Sequence, residues 1–144
     1  MIYLGSDHRG FELKEKLKRW LKDKRYEFED LGNSVFDQED DFPDFAVRVT
    51  KKLGKTKDAG ILFCGSGVGM DIAANRFSKV RCGLGFNSQQ IRIAKRDDNI
   101  NCISIPADFV SENEARAIIE MFLETQFANT EKYLRRIRKI EKIK

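Results

Sequence analysis

Residues 59–77 read AGILFCGSGVGMDIAANRF, and this stretch decides the fold. Ala59 to Cys64 is an apolar run of strand length, three glycines at 65, 67 and 69 interrupt it, and Asp71 to Phe77 reads as helix. The same succession recurs along the chain. Short β-branched or apolar runs predict strands near 1–5, 26–31, 59–64, 80–85 and 101–105. Between them lie helical spacings: Phe11, Leu13, Leu17 and Leu21; then Phe45, Val49 and Leu53; then Ile91 with Ala94. Alternation of this kind is the pattern of an α/β protein with a parallel sheet.

Pro43 follows an acidic loop, Asp37 to Asp41, and suits the first turn of the second crossover helix. Ser111 with Glu114 three residues later forms a capping-box pattern ahead of Ala115, Ile118, Ile119, Phe122 and Leu123. Two helices therefore close the chain. Right-handed crossovers leave few topologies for five such strands, and we expect a Rossmann-like three-layer sandwich of strand order 2-1-3-4-5 with an extended C-terminal helix. In that order the carboxyl ends of the first and third strands flank the switch point, where open α/β sheets bind ligands.

The 144 residues are the size of a single domain, 1–144, with 41% hydrophobic and 35% charged residues. No apolar run approaches the roughly 20 residues of a membrane helix. Met1 leads directly into Ile2-Tyr3-Leu4, which leaves no room for a signal peptide, so a cytoplasmic protein is expected. Cys64, Cys82 and Cys102 lack the paired spacing of a zinc site, and neither a metal nor a disulfide framework is expected. Much of the net charge of +4 lies in KYLRRIRKIEKIK from Lys132 onward, where Ile137, Ile140 and Ile143 repeat every three residues. That segment reads as an amphipathic helix with a solvated basic face, one or two of whose cations could meet a phosphate. Nucleic-acid binding is set aside, because clustered aromatic stacking positions and recognised motifs are lacking.

Two loops at the switch point carry chemistry. The first, Gly5-Ser6-Asp7-His8-Arg9-Gly10, places a carboxylate, the chain's one histidine and a guanidinium at a strand end. His8 and Arg9 can meet a phosphate, and Asp7 can accept hydrogen bonds from sugar hydroxyls. The second, Cys64-Gly65-Ser66-Gly67-Val68-Gly69-Met70, lets the backbone turn tightly and aim several N–H groups into the crevice. It is neither the Lys-bearing nucleotide loop nor the dinucleotide fingerprint. A thiol at a strand end beside a helix N-terminus tends to a lowered pKa and can act as a base, which singles out Cys64. Cys82 and Cys102 read as small buried apolar residues.

With GSDHRGFELK at the start, FPDFA at 42–46 and ILFCGSGVGMDIAANR at 61–76, the chain resembles the type B ribose-5-phosphate isomerase and galactose-6-phosphate isomerase family over nearly its whole length. The resemblance implies an aldose-ketose isomerase, with ribose 5-phosphate going to ribulose 5-phosphate through a cis-enediolate. It implies a homodimer or dimer of dimers with sites shared between subunits, and no metal or organic cofactor. By the same resemblance Cys64 is the proton-shuttling base, Ser66 helps the ring to open, and Asp7 and His8 hold the sugar and phosphate ends. Gly65, Gly67, Val68 and Gly69 supply backbone donors to the developing oxyanion. Asn99 and Asn101 line the sugar site, and Lys132 and Arg136 reach the phosphate from the partner subunit.

The second half of the chain departs from the family pattern. Asp97 stands where the family carries a ring-opening histidine, and Asp108 stands where it carries a phosphate-binding arginine. Arg9, where many relatives have a small residue, offers a replacement cation. Allose 6-phosphate and galactose 6-phosphate remain alternative substrates, and a non-catalytic sugar-phosphate binder remains an alternative function.

Overall fold

The computed structural model describes residues 1–54 and 57–143. Five strands, β1 (Ile2–Ser6), β2 (Phe28–Asp30), β3 (Ala59–Cys64), β4 (Cys82–Leu84) and β5 (Cys102–Pro106), are each followed by a helix: α1 (Phe11–Asp23), α2 (Phe42–Lys52), α3 (Val68–Ala74), α4 (Ser88–Asp98) and α5 (Glu112–Glu124). A sixth helix, α6 (Glu131–Glu141), ends the succession. All strand pairs are parallel.

The sheet order is β2-β1-β3-β5-β4, which corrects the expected 2-1-3-4-5 by exchanging the last two strands. Burial explains the exchange. β5 is buried at all five positions, whereas β4 has three half-buried residues, one of them Gly83. The short, weakly covered strand takes the edge, where few ladder bonds are lost and little template for a foreign strand is offered.

β3 is apolar at every position because helices cover both faces. Ile61 and Phe63 pack with Leu17, Trp20 and Leu21 of α1, Ile91 of α4, and Ile118, Ile119 and Phe122 of α5. Leu62 and Cys64 point the other way, among Phe45, Ala46 and Val49 of α2 and Met70 and Ala74 of α3. The period of two thus divides six residues between two cores and delivers the Cys64 side chain to the α2–α3 face. Each fully buried Leu, Ile or Phe stabilises the fold by about 1.5–3 kcal/mol relative to exposure.

Local signals set the helix ends. The Ser111–Glu114 capping box forms in full, and Pro43 lies in the first turn of α2. α3 begins at Val68 rather than Asp71, because Gly67 takes a left-handed conformation (φ 74°) as its N-cap and the turn is complete one residue later. α6 packs against α4 and buries Ile137, while Ile140 and Ile143 stay exposed. Among the described residues no helix is long and apolar enough to cross a membrane.

Candidate active site at the carboxyl ends of β1 and β3

β1 and β3 are neighbours, so the loops that leave them meet at the expected switch point. The Asp7 amide donates to the carbonyl of Phe63, and the Gly10 amide donates to Asp7 Oδ1 at 3.0 Å. Asp7 is buried, and that burial raises its pKa against the opposing pull of the Gly10 amide and of His8. His8 is held from the acidic loop: its amide and its Nδ1 both reach Asp40 Oδ1, at 2.9 and 2.8 Å. Arg9 turns the other way and pairs with Asp108, at the end of β5.

The β3–α3 loop is tied down on the same side. Ala107 and Asp108 donate their amides to the carbonyls of Cys64 and Gly65, and Ser104 Oγ donates to the carbonyl of Gly67 at 2.5 Å. A side chain on Gly65 would run into the Arg9 guanidinium, its Cβ lying only 2.5 Å from Nε. Cys64 is 5% exposed. Its pKa is raised, which corrects the expectation of a lowered one: desolvation is the largest effect, the Asp7 charge adds to it, and hydrogen bonds from the amides of Met70, Gly67 and Gly69 only partly oppose it. The resting sulfur is therefore a thiol with three donors already aimed at the thiolate it can become. Ser66 is exposed on the same loop and its Oγ accepts the Val68 amide at 3.3 Å.

The remaining expected residues gather elsewhere. Asp97, in the last turn of α4, pairs with Arg96 at 2.6 Å. Its pKa is lowered by that hydrogen bond first, with Tyr133 and Arg136 of α6 contributing. Asn101 spends its side chain on structure, accepting the Arg81 amide at 2.8 Å and donating to the carbonyl of Lys79 at 2.8 Å. Asn99 is the left-handed C-cap of α4, and its carbonyl receives the Arg81 guanidinium. These residues lie at the amino end of β5. Register pairs run from Gly60↔Cys102 to Cys64↔Pro106, so the two ends are roughly 13 Å apart along the strands at about 3.3 Å per residue. Within one chain, then, Asp7, His8, Arg9, Cys64 and the glycine loop come together, while Asp97, Asn99 and Asn101 lie towards the amino end of β5 with Arg136 near Asp97, and Lys132 lies on the same helix as Arg136.

Sequence reasoning passed over Asp40, Asn33 and Met70. Met70 enters by its backbone amide, which no side-chain pattern signals. Asp40 was one acid among several in a loop, and only the folded path of that loop distinguishes it. Cys82 and Cys102 face each other as a register pair of β4 and β5, and all three cysteines are free.

Known proteins resemble this chain in sequence and fold. The "Probable ribose-5-phosphate isomerase B" of Mycoplasma genitalium is 39% identical over 141 residues, 96% of this chain and 92% of that protein. The crystal structure of a ribose 5-phosphate isomerase from Thermotoga maritima superposes with a TM-score of 0.93 at 38% identity, covering 99% of this chain and 97% of the other. The Mycoplasma genitalium enzyme with bound ribulose-5-phosphate superposes with a TM-score of 0.88 at 37% identity, covering 97% and 93%. Residues 2–140 match the family described as Ribose/Galactose Isomerase, and the chain belongs to that family.

Proposed function

We infer that this chain is an aldose-ketose isomerase of sugar phosphates that interconverts ribose 5-phosphate and ribulose 5-phosphate. The observation that carries the reading is the Cys64 thiol at the switch point, with three amides aimed at its sulfur and Asp7 beside it. A structural relative holds ribulose-5-phosphate, the ketose of this pair.

Once ionised, Cys64 takes the C2 proton of the open aldose. The C–H electrons form the C1–C2 double bond as the C1 carbonyl electrons move to oxygen; the C2 hydroxyl proton passes to the C1 oxygen, and return of the thiol proton to C1 as the C2 carbonyl forms completes the ketose. The enediolate oxygens need donors fixed before the charge develops, and the backbone of Gly65 to Gly69 can present them. Asp7 holds the sugar hydroxyls, and His8 and Arg9 hold the phosphate. Ser66 assists ring opening from the exposed side of the loop.

Asp97, Lys132 and Arg136 act, in this proposal, in the crevice of a second copy, and Asn99 and Asn101 line the sugar site. The separation of Asp97 from the Cys64 crevice within one chain supports a shared site in a homodimer or dimer of dimers. We place the reaction in the cytoplasm. Isomerisation of ribose 5-phosphate in heavy water tests the chemistry: ketose formation with deuterium at its C1, and at C2 of the aldose re-formed on reversal, both lost in Cys64→Ala, is the expected result. Binding without exchange, for ribose, allose and galactose phosphates alike, would replace the enzyme by a binding protein. Mixing Cys64→Ala with Arg136→Ala copies tests the shared site, since reassorted dimers should regain about a quarter of the intact sites.

A further inference from the structure

The acidic loop between β2 and α2 contains one carboxylate that behaves unlike its neighbours. The Asp40 side chain is 6% exposed and accepts three hydrogen bonds: the His8 amide at 2.9 Å and His8 Nδ1 at 2.8 Å on Oδ1, and Asn33 Nδ2 at 3.0 Å on Oδ2. The Phe36 ring stands edge-on to the imidazole, with centroids 6.4 Å apart and planes at 86°. Ring and carboxylate thus fix each other, and among the described residues Nε2 has no hydrogen-bond partner.

Resting on the sugar-phosphate reading, we propose that Asp40, backed by Asn33, is a positioning residue that holds the His8 ring by Nδ1 so that Nε2–H is presented to the phosphate of the substrate. A ring whose Nδ1–H is held by a buried carboxylate can offer only Nε2 to a ligand, and the carboxylate favours the charged form. The charged groups facing His8 are Asp7 on its own loop, Asp40 from the β2–α2 loop, and Arg9. The hydrogen bond to Asp40 is the largest influence on the His8 pKa and raises it, Asp7 and the Asp40 charge add to it, and burial and Arg9 oppose it. His8 therefore keeps its charge to higher pH than a free histidine. Asp40 lies too deep to meet the phosphate itself, so its negative charge is neutralised by the imidazolium rather than shown to the substrate.

The chain has one histidine, so its ring resonances report on His8 without assignment ambiguity. The test is an NMR pH titration of wild type and Asp40→Asn, each without ligand, with inorganic phosphate and with ribose 5-phosphate. The expected result is a wild-type midpoint above 6.5 that falls in Asp40→Asn, with phosphate shifting the wild-type ring signals and binding the variant more weakly. In kinetics the variant should raise KM about ten-fold above its own His8 midpoint and less below it, with kcat little changed. A midpoint unmoved by the substitution, or ring signals indifferent to both phosphates, would overturn the proposal. Should Asp40→Asn fail to fold, a wild-type midpoint at or below 6.5 overturns it just as well. A protein without isomerase activity whose His8 still answers to phosphate through Asp40 would remove the enzymatic reading and leave this one standing; full activity with an indifferent His8 would do the reverse.

Discussion

The Arg9 guanidinium rests on the Asp108 carboxylate, directly over the backbone of Gly65. Under the proposed function the pair is one arrangement: Arg9 supplies a cation for the phosphate, and the Asp108 carboxylate orients it. The pair is open to solvent, with Arg9 60% and Asp108 34% exposed, so its contribution to folding is at most about 1 kcal/mol. Its consequence is for ligands. Arg9→Ala leaves a lone carboxylate beside a bound phosphate and should raise KM for ribose 5-phosphate about ten-fold with a smaller fall in kcat. Asp108→Ala added to Arg9→Ala should recover part of that loss. Steady-state kinetics on the two single variants and the double variant measures the coupling, and an unchanged KM in Arg9→Ala would remove the cation from the site.

Cys64 and Asp7 give a pH dependence of definite sign. Burial and the Asp7 charge both hold the thiol protonated, so the thiolate fraction at neutral pH is small and rises through the alkaline range. Turnover limited by proton abstraction should rise with it. Replacing Asp7 by Asn removes a negative neighbour and should move Cys64 ionisation to lower pH. Site-resolved alkylation against pH reads this in the free protein, with Cys82 as an internal reference whose thiol is pushed well up by its hydrogen bond with Cys102. A Cys64 profile that shifts upward in Asp7→Asn would mean that the Asp7 charge does not hold the thiol protonated.

The parts of the fold that were legible in the sequence rest on local chemistry. The apolar run of β3, the capping box at Ser111 and the proline of α2 announce themselves within a few residues. The exchange of β4 and β5 was not legible as order, because crossover rules allow both arrangements and only the summed burial of each strand decides which is central. At the crevice, strand-end position announced that Asp7, His8, Arg9 and Cys64 would lie close together. The Cys64 pKa was misjudged because a glycine loop suggests donors but not the packing of Met70 and Ala74 that desolvates the sulfur. Asp40 and Asp108 come to the crevice from loops distant in sequence, and no spacing rule links them to His8 and Arg9.

Gly67 sets the direction of the amides that face Cys64. It has φ 74°, and a Cβ there would lie 2.6 Å from Leu84 Cδ1 and 3.1 Å from the Pro106 nitrogen. Leu84 could yield, but the Pro106 backbone is fixed in β5. Gly67→Ala should cost about 1–2 kcal/mol from the left-handed conformation alone, and more from the clash. It should also lower kcat by turning the loop donors away. Gly54→Ala, where an added Cβ meets nothing within 4 Å among the described residues, is the control expected to leave both unchanged. Thermal melts and turnover on the two variants make the comparison.

The buried cation of α1 offers a stability prediction with an asymmetry. Lys14 is fully buried and its Nζ meets Asp30 Oδ2 at 2.5 Å, Glu15 Oε1 at 2.7 Å and the carbonyl of Asn33 at 3.3 Å. Lys18 reaches the same Asp30 oxygen at 2.7 Å and also pairs with Glu15. Removing Asp30 leaves a charge in the interior with only a partial partner, so Asp30→Ala should cost about 3 kcal/mol. Lys14→Met keeps Asp30 paired with Lys18 and fills the space with an apolar chain, so it should cost about 1 kcal/mol or less. Burial pushes the Asp30 pKa up, but the two lysines and the Gly32 amide outweigh it and bring it below the ordinary 3.8. A depressed carboxylate contributes stability that is fully present above its unfolded value and is lost as pH falls through its folded one. The difference between wild type and Asp30→Ala in urea unfolding should therefore be constant at neutral pH and shrink only below about pH 4. A difference that shrinks instead on the alkaline side, or a larger loss for Lys14→Met than for Asp30→Ala, would show that Asp30 does not anchor the network.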